Sequence, residues 1–421
     1  MSLIKKQAVI IGGGPGGLAA AAELKKKGID DLLILEREHW LGGILRQCIH
    51  DGFGMSRFGC SLSGPEYAGR FVEEVRRLGI PAETDTTVIG LDSHRTVTAV
   101  SRKGLARYQA EAVILAMGCR ERTRGALAIP GERPSGVFTA GTAQAYMNLK
   151  NKSIGRRAVI LGSGDIGMIM ARRLTLEGVK VEAVFEIQPY ASGLPRNIEQ
   201  CLKDYGIPLY LSHTVTDIKG AGRLEAVEVS RVDQRLQPIP GTEKIYPCDT
   251  LILSVGLIPE NELSRMAGIE LDPRTKGAVV DEFYQTSVPG IFAAGNVLHV
   301  HDLVDYVSQE AEAAGQSAAA YLAQAGQKKA GEIPVRCGSG IRYTVPQKIR
   351  LESRIENVTL RLRVDGVYQN KRLSVWAGEN RIYSKKRRAL APGEMETIKL
   401  PGKTIPDWTS VECLRVELEE I

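Results

Sequence analysis

Two α/β units of the doubly wound kind, followed by a small antiparallel β domain, form the fold class that three observations predict. A glycine-rich turn between a buried strand and a helix occurs twice at an offset of 150, as GGGPGG at 12–17 and GSGDIG at 162–167. Each turn is followed, 24 residues after its first glycine, by a glutamate, Glu36 and Glu186. Beyond Gly331 the texture changes to alternating β sequence. Turns of this kind mark Rossmann-like dinucleotide-binding domains. The predicted division is 1–125 with 275–330, then 126–274, then 331–421.

Each element has a physical reason. In AVIIGGGPGGLAAAAELKKKGIDDLLILE an apolar strand runs into the turn, and an alanine-rich helix leaves it. Gly12 permits the tight turn, Gly14 leaves room for a pyrophosphate, and Gly17 allows close strand–helix contact; Pro15 and Gly16 open the helix. The helix start points unpaired N–H groups at the phosphates, and Glu36 at the end of the next strand can accept ribose hydroxyls. The second copy, AVILGSGDIGMIMARRLTLEGVKVEAVFE, repeats this without a gap. Gly162, Gly164 and Gly167 match the three glycines, Asp165 and Ile166 stand at the helix start, and Glu186 matches Glu36. The duplication continues through LGIPAETDTTVIGL (78–91) and YGIPLYLSHTVTDI (205–218). It closes with strands ending in glycine, VILAMG at Gly118 and LILSVG at Gly256.

The segment 275–330 contains IFAAGNVLHVHDLVDYV and then an alanine-rich helix expected from near Asp302, its N-cap, to Gly326. In 331–421, NVTLRLRV alternates Val358, Leu360, Leu362 and Val364 against Thr359, Arg361 and Arg363. RLSVW and CLRVEL follow, with turns at AGEN and APGE.

Composition excludes several classes. With 421 residues, 43% hydrophobic and 25% charged, the chain reads as a globular protein of about two to three domains. No apolar run approaches the roughly 20 residues of a membrane span. Lys5 and Lys6 before an apolar stretch imitate a signal peptide, but the glycine turn interrupts that stretch. The seven cysteines include no C-x-x-C and are odd in number, which argues against an iron–sulfur site or a disulfide framework and fits a cytoplasmic protein. Residues 331–421 hold 17 Lys/Arg against 12 Asp/Glu, most of the net +6, with a dense run at Lys385, Lys386, Arg387 and Arg388. Such a run is a solvated turn or a docking face for an acidic partner. Nucleic acid is not expected, since aromatics are only 5% and no recognised motif appears.

On GGGPGG with Glu36, VILAMG with Arg120 and Arg122, GSGDIG with Glu186, and IFAAGN, about 330 residues resemble the two-dinucleotide-binding-domain flavoproteins, the FAD/NAD(P)-binding pyridine nucleotide oxidoreductases. The resemblance implies FAD in the first unit, NAD(P)H in the second, and a second domain inserted in the first, with the late strand–turn–helix returning to the first domain. It adds Arg37, Gly42, Gly43, Ile44, Gly118, Gly295, Asn296, His301 and Val304 to the FAD residues, and Gly256 to the nucleotide residues. Asn296 departs from the aspartate usual in that family; its amide still serves a ribityl hydroxyl or a bridging water. Closer still, LGGILRQCIHDGFG (41–54), AMGCRERTRGALAIPG and GNVLHVHDLVDYV resemble the NAD-linked flavoprotein encoded with anaerobic-type glycerol-3-phosphate dehydrogenases. They resemble less closely the small subunits of amino-acid dehydrogenase complexes.

Charge argues for NAD in the second unit. Glu186 would repel a 2′-phosphate, and Ile187, Gln188 and Pro189 offer no arginine to receive one. Among reactive side chains, Cys48 lies near where related disulfide reductases carry paired redox cysteines, but it has no partner four residues away. It is read as a packing thiol or as a sulfenic-acid former. His50, His299 and His301 show no metal-ligand spacing, so no metal is expected; the last two suit flavin contact or helix capping. The expectation is an oligomeric, FAD-dependent, NAD-linked oxidoreductase serving a substrate-oxidising dehydrogenase subunit, whose hydride step requires no protein acid or base, with Cys48 the one candidate catalytic residue. The alternatives are a self-contained NADH oxidase or peroxidase using Cys48, and a non-catalytic flavin-bearing assembly subunit.

Overall fold

Strand–turn–helix units recur where the glycine turns stand, because each apolar strand is short, buried and followed by a residue that can adopt positive φ. A computed structural model describes residues 3–323, 331–351, 357–404 and 408–421. By its contacts the chain divides into two units, one of Met1–Arg46, Asp51–Cys119 and Pro259–Ile421, the other of Gln47–His50 and Arg120–Ile258.

In the first unit the strand Leu3–Ile11 lies parallel to Leu32–Leu35 on one side and to Gly104–Leu115 on the other. Ile291–Ala293 pairs in parallel with Val113–Leu115, so the strand of the late segment returns to the first sheet. The sheet ends in an antiparallel meander of Thr87–Leu91 and Thr96–Ser101. Ile11, Leu35, Leu115 and Ala293 are in register, so four parallel strands finish level and their carboxyl ends share one edge. The helix Pro15–Lys26 packs against the long helix Val304–Ala323. Small residues permit this, since a Cβ on Gly315 would come within 2.7 Å of the Ala20 carbonyl oxygen.

The second unit repeats the design. Its five parallel strands run in the order Val137–Thr139, Thr250–Leu253, Arg157–Leu161, Lys180–Glu186, Leu209–Leu211. The helix Asp165–Leu176 follows the turn, and a three-stranded antiparallel sheet covers 213–247.

The β module has a five-stranded sheet ordered Lys348–Arg350, Glu332–Cys337, Leu414–Glu419, Tyr368–Ala377, Asn380–Leu390. A three-stranded sheet of Ile341–Val345, Asn357–Val364 and Glu396–Pro401 accompanies it. Val358, Leu360, Leu362 and Val364 fill a separate core with Leu373, Val375, Leu414 and Val416. Arg361, on the opposite face of the strand Asn357–Val364, is also buried, at 7% exposure, against Tyr284 and Glu310. Tyr343 and Val345 of the module lie in the core of the first unit.

The expected boundaries differ in several places: residues 120–125 group with the insertion, and 331–421 group with the first unit rather than apart. Residues 259–274 group with the first unit, not with the insertion. The long helix begins at Val304, and Asp302 accepts the Met395 N–H at 3.2 Å instead of capping it. Its expected end at Gly326 lies outside the described residues.

Candidate dinucleotide sites

Both glycine turns sit at the carboxyl ends of their parallel strands, where ligands bind in open α/β sheets. Gly12 and Gly162 have φ of +108° and +102°, and a Cβ on either would strike a carbonyl of the neighbouring strand, Ala116 or Ser254. A Cβ on Gly17 or Gly167 would press on the carbonyl oxygen of that first glycine. At Gly14, by contrast, a Cβ would meet only Gly43 Cα at 3.9 Å. The second glycine therefore faces open space, as a cradle for a phosphate requires. Neither helix start, at Gly14 or Gly164, has a side-chain cap, so the dipole end is left for an anion.

The two glutamates are buried and held alike. Glu36 accepts the Gly13 N–H at 2.6 Å and the Glu38 N–H at 2.8 Å. Glu186 accepts the Ser163 N–H at 3.0 Å and the Gln188 N–H at 2.9 Å. All three residue pairs obey the 150-residue offset, so the duplication seen in the sequence extends to hydrogen bonds. Glu186 carries more: the hydroxyls of Ser163 and Ser192 donate to its Oε2 at 2.6 and 3.0 Å. Ser192 also begins a segment tied to the turn, with Gly193 N–H on Ser163 O at 3.0 Å. Asp165 Oδ1 takes the Leu194 N–H at 2.7 Å and the Asn197 amide at 2.6 Å, so its side chain pins that segment. Ile166 is half-buried at the helix start. Gly256 has φ of +100° and accepts the Arg122 N–H at 3.0 Å.

Around the first turn the structure gathers the remaining FAD candidates of the first unit. Gly42 donates its N–H to Gly13 O at 2.8 Å, and a Cβ on Gly43 would lie 2.9 Å from Gly14 Cα. Ile44, on the short helix Gly43–Gln47, is 61% exposed, an open apolar side chain next to the turn. Arg37 is exposed and Val304 half-buried. Gly118 and Gly295 both have positive φ, at 72° and 76°, beyond the ends of adjacent strands. Val307 Cγ1 would lie 3.4 Å from a Cβ on Gly16 and 3.1 Å from one on Gly295, so the two turns converge on it. Asn296 accepts the His301 N–H at 3.0 Å and directs its amide to Cys119 Sγ at 3.6 Å. These residues fit FAD: a glycine cradle, an uncapped helix start, a placed carboxylate and an open apolar side chain.

Three residues absent from the sequence expectation complete the late turn. Asp305 accepts the N–H groups of Gly54, Ser56 and Arg57 at 3.0, 2.8 and 3.1 Å, and so ties the 51–58 loop to the long helix. Glu310 is fully buried and accepts the Gly295 N–H at 2.8 Å and His299 Nε2 at 2.9 Å. Arg361 reaches Glu310 from the β module at 3.4 Å. The available signal was a carboxylate on the buried face of an alanine-rich helix, which must find a counter-charge. Neither histidine caps the helix. His299, His301 and Glu310 offer ligand atoms within 4.8 Å of one another. Arg361 already supplies the carboxylate's counter-charge, so a divalent ion there would sit against a guanidinium.

Among the described residues no cysteine is in a disulfide. Cys48 is buried and its thiol lies 3.6 Å from Gln144 Oε1; burial pushes its pKa up to about 12.

The family model described as pyridine nucleotide-disulphide oxidoreductase matches residues 6–325. Hydrogen cyanide synthase subunit HcnB of Pseudomonas aeruginosa is 28% identical over 318 residues, 69% of this chain and 66% of that protein. An opine oxidase subunit of Agrobacterium tumefaciens is 26% identical over 333 residues, 74% of this chain and 64% of that protein. The chain thus spans just under two thirds of either relative. The T. acidophilum thioredoxin reductase structure superposes with a TM-score of 0.63 at 24% identity, covering 75% of this chain and 98% of that one. Among the described residues no helix is long and apolar enough to cross a membrane.

Proposed function

This chain belongs to the pyridine nucleotide-disulphide oxidoreductase family, whose members are FAD-dependent and use NAD(P)H, and we propose that it moves electrons between NAD and a substrate-oxidising dehydrogenase subunit. The observation that carries the reading is the paired geometry of Glu36 and Glu186, each fixed by the N–H of the second residue of its glycine turn. Two adenosine-ribose acceptors in one chain call for two dinucleotides. Bound flavin supplies hydride exchange with nicotinamide and release of electrons singly or in pairs. The protein's own share is to hold the dinucleotides: the turns receive pyrophosphates, and the glutamates receive riboses. Two of the relatives, HcnB and the opine oxidase protein, are named as subunits, which supports a partner subunit here. Glycerol 3-phosphate as the partner's substrate rests on the motif resemblance alone.

The peroxidase alternative needs a thiolate at Cys48. Burial pushes that thiol up to about 12, which disfavours it. Anaerobic stopped-flow mixing of the FAD-loaded protein with NADH tests the main reading: the flavin absorbance should bleach, and faster than with NADPH. No bleaching with either nucleotide would sink it. Cys48→Ser should bleach at the wild-type rate; loss of a peroxide-dependent NADH turnover seen in wild type would instead favour the alternative.

A further inference from the structure

The β module reaches the flavin side of the first unit with charged side chains. Arg361, on the strand Asn357–Val364, donates to Tyr284 Oη at 2.5 Å and stands 3.4 Å from Glu310 Oε2. The other carboxylate oxygen of Glu310 receives the Gly295 N–H at 2.8 Å. Gly295 and Asn296 form the turn that converges with the fingerprint helix on Val307. Around it, His301 Nε2 lies 3.4 Å from Glu310 Oε2, while its own N–H binds Asn296 Oδ1. Tyr343 Oη approaches His299 Nδ1 at 3.5 Å and accepts from Arg363, whose guanidinium also donates to Val300 O at 3.1 Å. Three module residues thus grip the segment 295–301.

Burial alone would raise the Glu310 carboxyl, but His301 and His299 beside it hold it well below the usual carboxylate range. Burial likewise pushes His299 down to about 4, so it is neutral near pH 7. Arg361 is the guanidinium that stands against the Glu310 carboxylate, 3.4 Å from its Oε2. A buried arginine is costly unless its charge is paired and hydrogen-bonded, as Arg361 is by Glu310 and Tyr284.

We propose that Arg361 is a positioning residue of the flavin site, carried by the β module, which through Glu310 fixes the Gly295–Asn296 turn in its FAD-receiving shape. This inference rests on FAD occupying the first unit. The module is then half of a cofactor site in addition to any docking role.

The test uses the full chain. Arg361→Met leaves Glu310 buried and uncompensated, Arg361→Lys keeps a cation, and Arg361→Met with Glu310→Leu removes both charges and the acceptor of the Gly295 N–H. Thermal unfolding reports the fold, and FAD affinity and the flavin reduction potential report the turn. Arg361→Met should weaken FAD by about tenfold or more, and Arg361→Lys should recover most of it. The charge-neutral pair should fold like wild type yet keep the weakened affinity and a shifted potential, because nothing then anchors Gly295. A purely structural ion pair would instead be rescued in every measurement by the neutral pair. Folded variants matching wild type in both affinity and potential overturn the inference. A wild-type protein that takes up no FAD overturns this inference together with the functional reading; FAD uptake by wild type with no effect of the variants overturns the inference alone.

Discussion

Glu186 is more heavily solvated by its own protein than Glu36, and the difference bears on nucleotide exchange. A ribose arriving at Glu186 meets a carboxylate already receiving the hydroxyls of Ser163 and Ser192, whereas Glu36 receives only two backbone N–H groups. Two charge-assisted hydrogen bonds at roughly 1.5–3 kcal/mol each, partly offset by the displaced serine donor, leave a modest net gain. Glu186→Ala should therefore weaken NADH by about ten- to a hundredfold, at ~1.4 kcal/mol per decade. The same change removes the like charge facing a 2′-phosphate, so the preference for NADH over NADPH should narrow. Steady-state KM for both nucleotides measures this; an unchanged ratio, or a wild type that favours NADPH, refutes it. The glycines and glutamates were legible from sequence because their jobs are mechanical and local, fixed by positive φ and by a turn 24 residues away. Asp165 was legible as a position but not as a role, since its partners Leu194 and Asn197 belong to a segment with no motif.

At the scale of elements, the short strand Lys348–Arg350 shows how the module is fastened. Arg350 Nε lies 2.6 Å from Asp281 Oδ2, and its N–H meets the Glu282 carboxylate at 2.9 Å. Burial pushes Asp281 up to about 6 and Glu282 up to about 8, against the opposing pull of Arg350. The folded state thus binds protons more tightly here than the unfolded chain, whose Glu titrates near 4.5. This contribution to stability is fully present below that value and is lost as pH rises through about 8. Urea unfolding of the full chain at a series of pH values should show stability falling across that window, with a flatter profile for Glu282→Gln. Parallel profiles would show that Glu282 ionises in the fold as it does in the open chain. Elements of this kind were hard to read in advance. Glu282 and Arg350 are 68 residues apart, and each looks like a surface charge in its own neighbourhood. Arg361 misled for the same reason: period-2 alternation assigns it correctly to the face opposite the apolar residues, but that this face is covered shows only through the distant Tyr284 and Glu310.

The whole molecule joins a duplicated nucleotide-binding plan, visible in sequence because both copies keep their spacing, to a module whose attachment was not visible. The β character and basic excess of 331–421 were readable, but its union with the first unit depends on Tyr343, Val345, Arg350 and Arg361, none of which lies in a motif. Cutting the chain near Gly331 would strip core and counter-charges from the flavin unit, so a docking role must be tested on the surface instead. The basic run falls on Asn380–Leu390, the edge strand of the five-stranded sheet. Lys385, Lys386 and Arg388 are exposed, while Arg387 is held by Glu396 at 2.7 Å. Three exposed cations on an edge strand have two physical uses. They repel a second copy's edge, or they steer an acidic partner. Changing Lys385, Lys386 and Arg388 together to Gln separates these, because none of the three is among the residues proposed to hold FAD or NADH, so flavin reduction should be unaffected. If the run steers the dehydrogenase subunit, the variant should associate more slowly at low salt and converge with wild type at high salt, where screening removes the advantage. If it guards the edge, partner binding should stay at the wild-type level while light scattering reveals self-association that wild type does not show. Retained assembly at the wild-type rate at low salt would remove the edge strand from the docking surface.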